Sequence, residues 1–444
     1  MVRTRFGGSH AVVIGASMAG LLAARVLADH VDRVTLIEQE ALPERPDARL
    51  GKPQSRNVST LLARGAQVLE HLFPGLLEDL DRLGAVRLDQ VDDVLAYQDG
   101  VFRERYRSGF HLRCLSRCLL EWRLLTRLAR FANIRLMEQT RATRLLLSED
   151  RRSIAGVRIA RGGTEQVLAA DLVVEASGCD SQVPYWLAEL GFGQVPQSSL
   201  SLGLVCATCL FKAPEDADGW KALTLAASNP FARCGAILPL EGGRWSVSLW
   251  GYRGDEPPAE PEAWLDYARS LPTDALFDAV SEAEPLGSPV LFTCPGQLRR
   301  HYERMDRFPD GLLVLGDAAC SFNPMYGQGT ITAAMGAVEL DRCLRDQPRG
   351  HVPGLARRFR QRLGRMLDVP WQLSLARMNG LSASGGPKRP TPLAVMNQYT
   401  DRMVRLAATD REMNDHLLEV LHMQKSPATL FAPGTVSKVL GGHR

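Results

Sequence analysis

Gly15, Ser17 and Gly20 fall in the run Gly15-Ala16-Ser17-Met18-Ala19-Gly20, and Glu38 closes the apolar run Val34-Thr35-Leu36-Ile37. Glycines at the start of a helix leave bare N–H groups and the positive end of the helix dipole facing outward, which suits a pyrophosphate. An acid at the end of the next strand can accept hydrogen bonds from a ribose diol. Gly15 permits a tight turn, and Gly20 with Ala24 lets the helix approach a sheet. Ser17 stands where the dinucleotide pattern G-x-G-x-x-G has its middle glycine. Its Cβ limits the approach of a phosphate, while its hydroxyl can donate to one. A second group lies far along the chain: Gly316-Asp317, then Pro324-Met325-Tyr326-Gly327-Gln328-Gly329. Asp317 can hold polyol hydroxyls, and the N–H groups at Gly327 and Gly329 can face an anion or a carbonyl oxygen.

The elements needed to position these residues are legible around them. Ala11-Val12-Val13-Ile14 has the continuous apolar character of a buried parallel strand, Leu21 to Leu27 continues as a helix, and Val34 to Ile37 makes a second strand. This βαβ unit, with glycines and acid in register, favours dinucleotide binding over an empty unit of the same shape. Gly311 to Leu315 reads as another buried strand, and Thr330, Ala333, Ala334, Gly336 and Ala337 mark a small-residue helix after the second glycine group.

Three further segments complete a pattern: Asp171-Leu172-Val173-Val174-Glu175-Ala176-Ser177-Gly178 with Asp180 and Ser181; Arg49-Leu50-Gly51-Lys52-Pro53-Gln54; and Leu115-Ser116-Arg117, opening a helix from Leu119 to Phe131. With GASMAG, Glu38 and LVLGDAACSFNPMYGQG, they make the chain resemble the FAD-dependent monooxygenases of the para-hydroxybenzoate hydroxylase fold over most of residues 10–345. Within these, it is most similar to epoxidases and hydroxylases of bacterial secondary metabolism, including the polyether epoxidases. The resemblance implies FAD held by Gly15, Ser17, Met18, Ala19, Gly20, Glu38, Arg49, Gln54, Arg117, Gly316, Asp317, Gly327, Gln328 and Gly329, with Arg117 on the phosphates. It implies transfer of one oxygen atom from O2, through a flavin C4a-hydroperoxide, to an organic substrate. Electrons would come from NADPH or NADH, directly or through a separate flavin reductase; a second nucleotide-binding fingerprint is absent. No side-chain acid or base is obligatory, and no metal is implied. Two departures, Asn57 after Arg56 and Lys52 in place of an apolar residue, bear on the substrate rather than the cofactor.

Composition excludes other classes. The net charge of +3 is small against 53 basic residues, which does not suit a nucleic-acid surface. The basic run Arg357 to Arg365 interleaves Leu355, Phe359 and Leu363 at helical spacing and reads as a solvated helix face. Nine cysteines, an odd number without zinc spacing, read as buried thiols in a reducing compartment. Arg3 and Arg5 before Ala11 to Leu22 mimic a signal peptide, but Gly15, Ser17 and Gly20 interrupt the run. No stretch of about 20 apolar residues suggests a membrane span. The expected location is cytoplasmic.

The expected fold is α/β: a Rossmann-like FAD-binding domain with an inserted antiparallel-sheet substrate domain and a C-terminal helical region. The divisions read as 10–90, 111–190 and 296–345 for FAD, 91–110 and 191–295 for substrate, and 346–444 for the helical region. Ser198 to Leu210, Gly235 to Leu240 and Trp245 to Tyr252 are strand-like and would roof the flavin. Met325, Tyr326, Trp250 and Phe211 are the candidates for substrate contact. Leu202, Leu204, Leu210 and Leu249 on the roof suggest a lipophilic substrate. Three other activities compete: a flavin-dependent halogenase, though a Trp-x-Trp-x-Ile-Pro segment is absent; a flavin reductase of the geranylgeranyl type; and a non-catalytic flavin-binding protein.

Overall fold

The structure is a computed structural model and describes residues 6–46, 58–98, 100–200, 203–214, 219–226, 233–252, 254–294, 296–323, 327–347, 353–379 and 392–441. The predicted sites Arg49, Lys52, Gln54, Asn57, Leu202, Met325 and Tyr326 lie outside the described residues.

Strand β1 (Phe6–Ile14) sits at the centre of a five-stranded parallel sheet. On one side it pairs with β2 (Val31–Ile37), which pairs with Ile134–Met137. On the other it pairs with Leu172–Glu175, which pairs with Leu312–Val314. Strands covered on both faces read as unbroken apolar runs, and the core rows Ala11-Val12-Val13, Leu172-Val173-Val174 and Leu312-Leu313 are almost fully buried. Helix α1 (Met18–Leu27) is buried along every residue, as expected of a helix apolar all round. It packs between the sheet and the helix Gln328–Arg345.

The chain leaves β1 toward β2 on one side and returns later to build the other, so the topology switches at β1. Ligands of such sheets bind beyond the carboxyl ends of the strands at that point. Gly15, Glu38, Ala176 to Gly178 and Gly316-Asp317 all lie just past those ends.

A second, seven-stranded sheet has the order Val290–Thr293, Val205–Lys212, Arg244–Gly251, Cys234–Leu240, Ala222–Leu225, Val94–Gln98, Val101–Phe102. The expected strand from Ser198 to Leu210 is in fact two strands in different sheets. Gln197–Leu200 pairs with Gln297–Arg300, which also pairs with Cys320–Ser321 beside the second glycine group. Only Val205–Lys212 enters the roof.

One face of the roof carries Ala207, Cys209, Phe211, Ile237, Val247 and Leu249. It is covered by the helices Pro261–Arg269 and Ala275–Ser281 through Trp264, Tyr267, Leu276 and Val280. Cys206 and Cys209, three residues apart on one strand, therefore point to opposite faces. The nine cysteines are free thiols, seven of them buried. The long helix Leu355–Asn379 and the helices Pro392–Ala407, Arg411–Leu421 and Pro433–Gly441 form the C-terminal region. No described helix is long and apolar enough to cross a membrane.

Candidate functional site

The loop after β1 is tightly made. Gly15 has φ +97°, and a Cβ on it would come within 2.6 Å of the Ala176 carbonyl oxygen. A Cβ on Gly20 would stand 1.7 Å from the Gly15 carbonyl oxygen, so the first turn of α1 closes only with glycine there. Glu38 is buried, and its Oε2 accepts the Ala16 N–H at 2.8 Å. The acid thus orders the glycine loop itself. A Cβ on Gly316 (φ +66°) would meet Ala19 Cβ at 2.4 Å, so this glycine brings Asp317 against the start of α1.

Arg117 is the first residue of the helix Arg117–Leu128, whose start is capped by Ser116 Oγ accepting the Leu119 N–H at 3.1 Å. The Ser116 N–H donates to Glu241 Oε2 at 2.9 Å, which ties the roof hairpin between Leu240 and Arg244 to this helix. Arg117 Nε donates to Glu121 Oε1 at 2.9 Å, and its Nη2 donates to Ser17 Oγ at 3.0 Å. The Ser17 hydroxyl donates to the same Glu121 oxygen at 2.6 Å. Arg117 and Asp317 lie deep in the fold yet keep accessible surface, as groups at the floor of a cleft do. Burial pushes the Asp317 carboxyl above its usual range, the Arg117 guanidinium pulls against that, and Glu121 adds to the rise. Burial disfavours the Arg117 charge, but Glu121 and then Asp317 more than offset it and hold the guanidinium protonated.

Gly178, Gly327 and Gly329 have open space beside them among the described residues. A Cβ on Gly178 or Gly327 would meet no atom of the described residues within 4 Å, and one on Gly329 only Asp317 Oδ1, at 4.0 Å. Gly327 caps the helix Gln328–Arg345 with φ +62°, and Gln328 Oε1 is buried without a hydrogen-bond partner. Room beside glycines, an orphaned polar atom, a helix N-terminus and a partly accessible arginine held by a buried glutamate fit a large anionic, hydrogen-bonding cofactor.

Sequence reasoning missed two groups. Arg300 Nη1 donates to the Ala318 carbonyl at 3.0 Å, and Nη2 donates to the Cys179 carbonyl, so one side chain joins the loops after two strands of the parallel sheet. No local pattern announces it. Glu121 could have been found, because Arg117 and Glu121 stand four apart on a helix, where side chains meet.

The roof packs part of its other face on the strands Val86–Asp89 and His111–Ser116. Register places Phe292, Cys206, Trp250 and Cys234 in one cross-strand row. Val290, Thr208, Ser248, Ala236, Thr224 and Ala96 form the next. Beyond it, Val94, Ala222 and Leu238 pack on Leu88, Leu112 and Cys114. Thr208 Oγ1 and Ser248 Oγ are 2.7 Å apart. Trp250, a predicted substrate contact, is on this inner face and half-buried beside Phe292 and Leu204. Phe211 is not. It lies on the helix-covered face against Trp264, ring centroids 5.8 Å apart, because residues 206 and 211 differ by an odd number on one strand. Leu249 is in that same outer core, so it says nothing of a substrate.

The FAD binding domain family matches residues 9–354. The chain belongs to that family. Its cofactor is FAD, and its fold is that of the para-hydroxybenzoate hydroxylase-like flavoproteins. This FAD-binding protein is 33% identical over 348 residues to Protein Rv3254 of Mycobacterium tuberculosis, spanning 76% of this chain and 73% of that one. It is 29% identical over 357 residues to a kynurenine 3-monooxygenase of Salinispora tropica, with 76% and 73% covered. Among solved structures it is similar to PqsL of Pseudomonas aeruginosa, described as a probable FAD-dependent monooxygenase (TM-score 0.62, 18% identity, 85% of this chain and 100% of that one). The flavin-dependent brominase Bmp2 shares the fold as well (TM-score 0.67, 14% identity, 93% and 94% covered).

Proposed function

We propose that this FAD-binding protein is a monooxygenase that transfers one oxygen atom from O2 to an uncharged, lipophilic substrate, by epoxidation or hydroxylation, in secondary metabolism. The observation that carries the reading is the inner face of the roof. Its two central rows hold Phe292, Cys206, Trp250, Cys234, Thr208, Ser248, Ala236, Thr224 and Ala96, with no ionisable acid or base other than thiols among the described residues of those rows. Such a surface matches a flat apolar body carrying a hydroxyl or carbonyl, since the Thr208–Ser248 pair can both donate and accept.

Bound FAD, once reduced, supplies the activated oxygen. In this reading the chain's own residues bind and orient. Arg117 and the N–H groups of α1 take the pyrophosphate, with Gly15, Ser17, Met18, Ala19 and Gly20 shaping its seat. Glu38 takes the ribose, and Asp317 the ribityl hydroxyls. The helix N-terminus at Gly327, Gln328 and Gly329 takes the pyrimidine edge of the ring, where its dipole favours negative charge. Arg49, Gln54, Met325 and Tyr326 complete the proposed contacts. The roof covers the ring and keeps water away. NADPH or NADH supplies electrons, directly or through a flavin reductase.

Halogenation is the second reading, because Bmp2 shares the fold. Against it, the sequence carries no Trp-x-Trp-x-Ile-Pro segment. The test is to photoreduce the FAD-loaded protein and admit air in the presence of bromide and either 1-naphthol or the charged analogue 1-hydroxy-2-naphthoate. An oxygenated product, formed faster from 1-naphthol, supports the proposal. A brominated product, or preference for the carboxylate, overturns it.

A further inference from the structure

Ser17 looks like a flaw in the dinucleotide pattern, because the middle position is glycine where backbone must approach phosphate closely. Its surroundings say otherwise. The backbone there is extended (φ −103°, ψ −174°), a conformation any residue adopts, so glycine's freedom is not needed. Ser17 is the N-cap of α1, yet its side chain makes no capping hydrogen bond. The hydroxyl instead points sideways into a three-membered network. It accepts from Arg117 Nη2 and donates to Glu121 Oε1, the oxygen that also accepts Arg117 Nε. This hydroxyl joins the glycine loop to the helix Arg117–Leu128, a hundred residues away in sequence.

Electrostatics sharpens the question. Glu121 and Asp317 both act on the Arg117 guanidinium, and neither lends favourable charge to an incoming pyrophosphate. A carboxylate in that place weakens the attraction unless it does something else. What Glu121 does is fix the guanidinium plane, together with Ser17, before any ligand arrives. An arginine has many rotamers, and the entropy lost on ordering it is then lost on folding rather than on binding.

We propose that Ser17 and Glu121 are positioning residues for the FAD pyrophosphate and act through Arg117. They form a preset clamp in which the serine replaces the close backbone approach of a glycine with an oriented arginine.

The substitution Ser17→Gly decides between this and a tolerated flaw, because it restores the all-glycine pattern. FAD dissociation constants are measured by flavin fluorescence on titrating FAD into the full-length protein stripped of flavin. The clamp predicts that Ser17→Gly weakens FAD about tenfold, that Ser17→Thr, which keeps the hydroxyl, stays within about threefold of wild type, and that Glu121→Ala weakens FAD as Ser17→Gly does. Ser17→Gly should add nothing further in an Arg117→Ala background, while the melting temperature of the flavin-free protein is unchanged. Equal or tighter binding by Ser17→Gly overturns the proposal. So does a Ser17→Gly effect that persists in full without Arg117, or tighter binding by Glu121→Ala. If Glu121→Ala fails to fold, Glu121→Gln, which keeps an acceptor oxygen, takes its place and should retain most of the affinity.

Discussion

Asp317 and Gly329 are neighbours that should fail in different ways when changed. Asp317 follows the strand Leu312–Val314 and keeps accessible surface, and the Arg117 guanidinium opposes the rise that burial imposes on its carboxyl. Asp317→Ala should raise the FAD dissociation constant by roughly 10- to 150-fold, about 1.5–3 kcal/mol for lost charge-assisted hydrogen bonds. A constant equal to that of wild type would remove Asp317 from the cofactor site. Gly329 is helical, not left-handed, and no atom of the described residues lies nearer than 4.0 Å to a Cβ built there. Neither backbone strain nor packing against the described residues requires this glycine, which is what a proposed flavin contact expects. Gly329→Val should leave the melting temperature of the flavin-free protein within about 2 °C of wild type and abolish substrate oxidation; a variant oxidising at the wild-type rate would place the flavin elsewhere.

At the scale of elements, Gly20 shows the opposite behaviour. A Cβ there would stand 1.7 Å from the Gly15 carbonyl oxygen, so Gly20→Ala must push α1 off its loop. Overpacking of this kind costs about 1–3 kcal/mol. The expected result is a lower melting temperature even without flavin, together with weaker FAD binding. Unchanged melting would mean that the turn relaxes freely. The contrast between Gly20 and Gly329 also marks what the sequence could tell. The βαβ unit and the strand before Asp317 were legible because buried parallel strands are continuous apolar runs and because helix-start glycines punctuate them. Phe211 was misjudged because alternation along a strand separates two faces without saying which is covered by helices; only Trp264 and its neighbours decide that. Ser198 to Leu210 read as one strand because nothing in its apolar character marks where pairing passes to another sheet. Arg300 and the Ser17–Glu121 contact were hidden because they join residues more than a hundred positions apart.

At the scale of the whole molecule, the C-terminal helices reach back to the FAD-binding half. His422, at the end of the helix Arg411–Leu421, is fully buried. Its Nδ1 accepts the Ala63 N–H at 3.1 Å, which caps a helix start that has no side-chain cap of its own, and Nε2 meets Gln90 Oε1. Tyr106 adds a hydrogen bond to Asp415 at 2.8 Å. Burial holds the His422 pKa down from 6.5 to about 4. Above pH 6.5 the ring is neutral both folded and unfolded. As the pH falls toward 4, the unfolded chain takes a proton that the folded one refuses, so stability is lost over that window, about 2 kcal/mol between pH 7 and pH 5. His422→Gln, which cannot titrate, should be less stable than wild type at pH 7 and should show a shallower decline of melting temperature to pH 5. Parallel declines would mean that His422 is already protonated in the folded protein.

The proposed delivery of oxygen by reduced FAD to an uncharged substrate under the roof is tested most directly by a single turnover under ¹⁸O₂. The FAD-loaded protein is reduced anaerobically, mixed with 1-naphthol or indene and labelled oxygen, and the products are weighed by mass spectrometry. The account predicts a naphthalenediol or an indene oxide carrying one labelled oxygen atom from O2. Flavin reoxidation that yields only hydrogen peroxide with both compounds, or saturation of indene before oxygen is admitted, would contradict it.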